Sequence, residues 1–181
     1  MRILGISGSL RSGSFNTNLL RAAQKLSPAG VTIDIIEIGH LPPYNDDVRA
    51  AGYPADVAAW RAAIAAADAL LIATPEYNYS VPGVLKNAID WASRPPDMPL
   101  AGKPLGIMGA SGGLGGTMRA QYHLRQICVF VDVYPLNKPE VMVREAGKKF
   151  DAAGNLTDED TRQHVQKLVE ALVAWTSRLK G

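Results

Sequence analysis

A single cysteine, Cys128, stands among 181 residues, so no disulfide can form within the chain. Three histidines and one thiol supply too few ligands for a structural zinc cluster. Both shortages agree with a reducing, cytoplasmic setting, where we expect this protein to work. Long apolar runs are missing too: nothing approaches the ~18 residues that a membrane helix needs. The apolar start, Met1-Arg2-Ile3-Leu4-Gly5-Ile6, breaks at once into Ser7 and Gly8, which is too short for the core of a secretion signal. Charge of one sign is also scarce. Nineteen basic residues face 17 acidic ones, and a net charge of +2 is too small for a nucleic-acid footprint. We find no internal repeat and no low-complexity linker. These absences argue against a membrane protein, a disulfide scaffold and a disordered tail.

What remains is ordinary globular material. Hydrophobic residues make up 47% and charged residues 20%. The length fits one domain spanning residues 1–181, long enough to bury roughly 70% of its unfolded surface. Short apolar runs alternate with helical patterns. Arg2–Ser7, Val31–Ile38, Ala69–Thr74 and Pro104–Ala110 read as strands, and Val131–Val143 holds one or two short pieces interrupted by Pro135 and Pro139. Helical spacing covers 15–26, 56–67, a segment opening at Pro82 and running to about Ala92, 116–129 and 158–179. Thr157 with Asp160 resembles a capping box for the last helix. Val165, Leu168, Val169, Leu172 and Trp175 form its expected buried stripe. Alternating strands and helices, with strands lacking apolar/polar alternation, imply a parallel sheet covered on both faces. Five strands in this length fit a flavodoxin-like three-layer α/β sandwich of strand order 2-1-3-4-5. Ligands in such sheets bind beyond the carboxyl ends of the strands, so the informative residues should follow strands one, three and four.

They do. The first loop, Gly8-Ser9-Leu10-Arg11-Ser12-Gly13-Ser14-Phe15-Asn16-Thr17, combines small residues, hydroxyls and one arginine just ahead of a helix. Hydroxyls and free N–H groups at a helix start donate to anions, and a guanidinium fork matches phosphate oxygens. We read a cradle for a terminal phosphate; helix capping alone accounts for only one of Ser12 and Ser14. It is neither of two familiar alternatives. Gly5 and Gly8 have the wrong spacing for a dinucleotide fingerprint, and no Gly-Lys-Ser/Thr is present for a nucleoside triphosphate loop. The loop after strand three, Thr74-Pro75-Glu76-Tyr77-Asn78-Tyr79-Ser80-Val81-Pro82-Gly83, is stiffened by prolines and offers planar rings and an amide to the edge of a flat heteroaromatic. The loop after strand four, Ser111-Gly112-Gly113-Leu114-Gly115-Gly116, lets backbone approach such a ring and donate N–H groups to it.

Taken together, three segments resemble the NAD(P)H-dependent FMN reductases, in particular the bacterial quinone/chromate reductase and azoreductase branch. They are Gly8-Ser9-Leu10-Arg11 with Ser14 and Asn16, Pro75-Glu76-Tyr77-Asn78 with the following helix to Asp90-Trp91, and Gly112-Gly113-x-Gly115-Gly116 with Arg119-Ala120-Gln121. The resemblance covers nearly the whole chain. It implies a flavodoxin-like fold that binds FMN non-covalently in a homodimer or homotetramer, with NADH or NADPH as co-substrate. It further implies that Ser9, Arg11, Ser14 and Asn16 hold the FMN phosphate with Thr17 nearby. Pro75, Glu76, Tyr77 and Asn78 would line the ring and ribityl chain. Ser111, Gly112, Gly113 and Gly115 would lie against the other side of the ring. Arg119 would place the nicotinamide nucleotide or join a salt bridge between subunits. Tyr44 would border the site or simply belong to a turn. Trp91, Met118 and Tyr122, near the expected site, point together with the resemblance to a subunit contact. No side-chain nucleophile or general base is required for hydride transfer to a flavin, so we assign no catalytic residue and no metal. His40, His123 and His164 lie in separate segments, and Cys128 reads as packing. The acceptor would be a small molecule: a quinone, chromate, an azo compound or free flavin. Two other readings share parts of the pattern. A flavodoxin-type electron carrier would keep the fold and FMN, and a non-flavin regulatory module would keep only the phosphate loop.

Overall fold

A computed structural model describes all of residues 1–181, and its elements follow the punctuation of the chain. They run β1 (Arg2–Ser7), α1 (Phe15–Lys25), β2 (Thr32–Ile36), α2 (Asp46–Ala51), α3 (Ala55–Ala66), β3 (Ala69–Ala73), α4 (Gly83–Ala92), β4 (Pro104–Ala110), α5 (Met118–Phe130), β5 (Tyr134–Pro135), β6 (Val141–Val143) and α6 (Glu159–Lys180), with one turn of 3₁₀ helix at Ala146–Lys148. All strand pairs are parallel, and the order is β2-β1-β3-β4-β5, with β6 also against β4. This is the flavodoxin-like arrangement. The fifth position of the sheet is divided. β5 pairs with the start of β4 (Pro104↔Tyr134, Leu105↔Pro135) and β6 with its end (Met108↔Val141 to Ala110↔Val143). Pro135 and Pro139 explain the break, because neither can donate to a ladder.

Alternate side chains of the inner strands feed two cores. Leu70 and Ile72 of β3 face α3, α4 and α5 with Val57, Trp60, Ile64, Leu85, Ile89, Leu105, Ile107 and Leu124. Leu71 faces α1 and α6 with Ile3, Leu19, Leu20, Met108, Val165, Leu168, Val169 and Leu172. Fully burying one such aliphatic side chain contributes ~1.5–3 kcal/mol, so the sheet is clamped from both sides. Trp91 lies in the first of these cores, fully buried, and its indole N–H donates to Pro42 O at 2.7 Å. Its side chain therefore offers no surface to a partner.

Three local details differ from the reading of the chain. α2 forms where only a turn was expected. Asn45 caps it, accepting from Asp47 N at 2.8 Å, and Asp46 and Asp47 sit in its first turn, favourable to the helix dipole. The cap of α6 is Asp158, one residue beyond Thr157. Its carboxylate accepts from Thr161 N at 2.9 Å, while the Thr157 hydroxyl donates to Lys149 O at 3.2 Å. Trp175 is only half-buried, its N–H donating to Tyr134 O at 3.0 Å, and Thr176 takes the buried place on that turn.

Candidate functional site

The loops after β1, β3 and β4 converge at one end of the sheet because their strands are neighbours, and specific contacts lock them together. Gly8 N donates to Ala73 O at 2.8 Å, which ties the first loop to the end of β3. A Cβ on Gly8 would meet Pro75 Cδ and Thr74 Oγ1, both at 3.2 Å. Gly109 is tighter still. A Cβ there would lie 2.1 Å from Thr117 Oγ1 and 2.3 Å from Thr74 O, so only glycine lets the second and third loops close on each other.

The first loop is organised by its own hydroxyls. Ser14 caps α1, accepting from Asn16 N at 3.2 Å and Thr17 N at 3.3 Å. Ser7 Oγ and Thr17 Oγ1 share a hydrogen bond at 2.8 Å. Ser9 is buried, and its oxygen accepts from Arg11 N at 3.4 Å. After this internal bonding, the N–H groups of Leu10, Ser12, Gly13 and Phe15 have no partner in the chain, and neither does the exposed Arg11 guanidinium. Four free donors and a free cation at a helix N-terminus suit a dianion. The residues present therefore fit a flavin phosphate.

Asn16 also ties the first loop to the sheet. Its buried carboxamide donates to Ala110 O at 3.0 Å and accepts from Ala110 N at 2.9 Å. One N–H and the oxygen of the amide are engaged in this way, so the side chain braces the start of α1 against the end of β4 with its second N–H still to spare.

The second loop closes as a hairpin. Tyr77 N donates to Ser80 O at 3.1 Å and Ser80 N to Tyr77 O at 3.0 Å. Asn78 (φ 51°) and Tyr79 (φ 64°) both adopt the left-handed region, as a type I′ turn requires. Asparagine tolerates that conformation, whereas a tyrosine there is strained by ~1 kcal/mol or more. The strain is held by Arg119, whose guanidinium lies 3.6 Å from the centroid of the Tyr79 ring. Arg119 is fixed in turn by the Glu76 carboxylate, which pairs with the guanidinium at 2.5 Å. The same carboxylate accepts from Arg119 N at 2.9 Å and Ala120 N at 3.1 Å. A carboxylate on the first N–H groups of a helix is favoured by its dipole. Glu76 thus caps α5 with its side chain, and the Arg119 ion pair lies within one chain.

In the third loop, Ser111 Oγ donates to Gly116 O at 2.7 Å and accepts from Gly113 N at 3.3 Å. That leaves the N–H groups of Gly112, Leu114 and Gly115 free, as are those of Glu76 and Asn78 in the loop after β3. Tyr77 is exposed beside them. Free amides on loops that leave neighbouring strands suit the carbonyl and nitrogen edge of a flat ring. Tyr44 stays out of this constellation: it packs edge-on against Trp91 at 4.9 Å, and its phenol donates to Asp46 at 2.7 Å. Cys128 is buried in the core, and desolvation pushes its thiol up to about 12, which keeps it protonated at neutral pH.

The sequence pattern of the NADPH-dependent FMN reductase family matches residues 1–148. This chain belongs to that family. An NAD(P)H-dependent FMN reductase of Pseudomonas aeruginosa is 58% identical over 181 residues, covering 100% of this chain and 98% of its own. A quinone reductase of Escherichia coli is 45% identical, over 99% and 97% of the two chains. Among solved structures, the flavoenzyme NAD(P)H:(acceptor) oxidoreductase FerB from Paracoccus denitrificans superposes with a TM-score of 0.89 at 37% identity, covering 98% of this chain and 97% of FerB. Membership makes the chain an oxidoreductase of the FMN- and NAD(P)H-dependent kind. No helix of the family member described here is long and apolar enough to cross a membrane.

Proposed function

We propose that residues 1–181 form one FMN-binding domain that uses NADH or NADPH to reduce a small acceptor such as a quinone, chromate, an azo compound or free flavin. The observation that carries this reading is the set of unpartnered donors ahead of α1: four backbone N–H groups and Arg11. The FMN phosphate belongs there, with the Ser9 hydroxyl beside it and Ser14 and Thr17 shaping the turn. The ring and ribityl chain belong between Pro75–Asn78 and Ser111–Gly115. FMN, when bound, supplies two-electron chemistry, taking hydride equivalents from a reduced nicotinamide and yielding them to the acceptor in a second half-reaction.

The chain's contribution is position and electrostatics. Arg11 and the helix N-terminus neutralise the phosphate. The free N–H groups of Gly112, Leu114 and Gly115 oppose charge that develops on a ring edge facing them. The Asn16 carboxamide and the Glu76 carboxylate hold the three loops in register. A cytoplasmic location agrees with the need for a reduced nicotinamide pool. A homodimer or homotetramer is supported by α5, where Met118, Tyr122 and Val129 share one exposed stripe flanked by Phe130. A net charge of +2 favours this reductase over a flavodoxin-type carrier, because carriers of that type are typically strongly acidic.

The test is a visible spectrum of the protein saturated with FMN. Under anaerobic conditions NADPH or NADH should bleach the flavin bands, and a quinone should restore them. A long-lived one-electron semiquinone with slow NAD(P)H oxidation would favour the carrier. A protein that takes up no FMN would favour the non-flavin module.

A further inference from the structure

Beside the phosphate loop, on the side of β2, lies an open groove of about 750 Å3. It shares Ser9, Arg11 and Thr17 with the loop and continues past Arg21 to Glu37 and His40, with Leu10 and Ile36 as its apolar flank. Its volume falls in the range of small-molecule sites, roughly 300–1,000 Å3. A phosphate occupies only a small part of such a space.

Strand order fixes the relation between groove and ring site. β1 is central, β3 and β4 lie to one side, and β2 lies to the other. A flavin with its phosphate in the shared loop and its ring on the β3–β4 side turns its phosphate toward the groove. A group joined to that phosphate has this groove directly open to it. The polar groups waiting there are largely unused. Arg21 donates only to Asn18 Oδ1, at 2.9 Å, while Glu37 and His40 have no hydrogen-bond or ion-pair partner in the chain. Glu37 directly follows β2, the place from which a carboxylate in nucleotide-binding α/β sheets accepts hydrogen bonds from ribose hydroxyls. Arg21 projects from the second turn of α1, with the planar fork that a second phosphate needs. Leu10 and Ile36 offer a surface to a base.

We propose that this groove binds an adenylate unit joined by a pyrophosphate to the flavin, so that the protein takes FAD as well as FMN. The second phosphate lies on Arg21, the ribose hydroxyls on Glu37 and the base against Leu10 and Ile36. This proposal rests on the phosphate assignment made above for FMN.

Fluorescence titration of flavin-free protein with FMN and with FAD tests it, using wild type, Arg21→Ala and Glu37→Gln. FAD affinity should fall roughly tenfold in Arg21→Ala, the size of one lost charge-assisted contact, and by a smaller factor in Glu37→Gln. FMN affinity should stay unchanged in both, which also shows that the variants are folded. Equal weakening of FMN and FAD, or no weakening of FAD, overturns the proposal while leaving FMN binding in place. Failure of wild type to bind FMN overturns the flavin reading itself. A third titration uses ADP on FMN-loaded protein. ADP binding that is lost in Arg21→Ala, with FAD affinity indifferent to the substitution, would assign the groove to a free nucleotide and overturn the dinucleotide.

Discussion

The two ends of the sheet are built from the same strands but treat their polar groups in opposite ways. At the amino-terminal end the bonding is closed. The Met1 ammonium donates to Gly30 O at 2.7 Å, and Arg2 N to Asp68 at 2.7 Å. Lys180 pairs with that same Asp68, and Lys103 donates to Ala65 O at 3.1 Å and to Ala67 O, capping the last turn of α3. At the carboxyl-terminal end Arg11, Glu37, His40 and a series of backbone N–H groups have no partner in the chain. A fold buries or pairs its polar groups wherever it can. The end that leaves them open is the end where we propose that the flavin sits.

Substitutions at the two ends should therefore separate stability from ligand binding. The largest effect is expected at Gly109, where an alanine Cβ would collide with Thr117 Oγ1 and Thr74 O. Gly109→Ala should destabilise the fold by about 3 kcal/mol or more and abolish flavin binding, read by denaturant unfolding and flavin titration. Arg11→Ala comes next and should divide the two properties. FMN affinity should weaken by about 1.5–3 kcal/mol with no change in unfolding midpoint, and an unchanged dissociation constant would remove the phosphate assignment. Asp68→Asn at the closed end should behave in the opposite sense. Its exposed pair with Lys180 is worth about 0–1 kcal/mol of stability, and FMN affinity should not change at all.

The smallest effect lies outside both ends, at the cap of α6. The Lys149 ammonium, followed by the Thr161 hydroxyl and N–H, holds the Asp158 carboxyl down to about 2 from an ordinary 3.8. A carboxyl lowered in the folded state stabilises it above the ordinary value, and that contribution fades as pH falls through the folded one. The melting temperature should thus drop between about pH 4 and pH 2, and Asp158→Asn, which keeps a capping oxygen but no charge, should flatten that drop.

Much of the fold could be read from the chain because its signals are local. β-branched and apolar runs such as Ala69–Ala73 end at prolines or glycines, and their alternation with helices leaves few topologies open. The divided fifth position was half-visible, since Pro135 and Pro139 marked the interruption but not which half of β4 each piece would join. α2 went unread because prolines at 42, 43 and 54 flank it, although Asn45-Asp46-Asp47 carried a cap signal. At the site, the phosphate loop was legible as composition. The tasks of Asn16 and Glu76 were not, because their partners lie 94 and 43 residues away along the chain. A polar side chain in a binding motif looks the same whether it grips a ligand or a neighbouring loop. The pair of bonds between Asn16 and Ala110 shows the second task. Arg21 and Glu37 were passed over for a related reason: one sits in a helix and the other ends a strand, and neither belongs to a motif.

Glu76 ties two separate stretches of chain to one carboxylate: its own hairpin, whose Tyr79 ring it supports through Arg119, and the opening turn of α5. Residues 76, 79 and 119 are consequently not free to drift one at a time. Exchanging Glu76 or Arg119 leaves the other with a dangling charge and the Tyr79 bend without its support, so redesign of this rim has to treat the trio as a single inherited word.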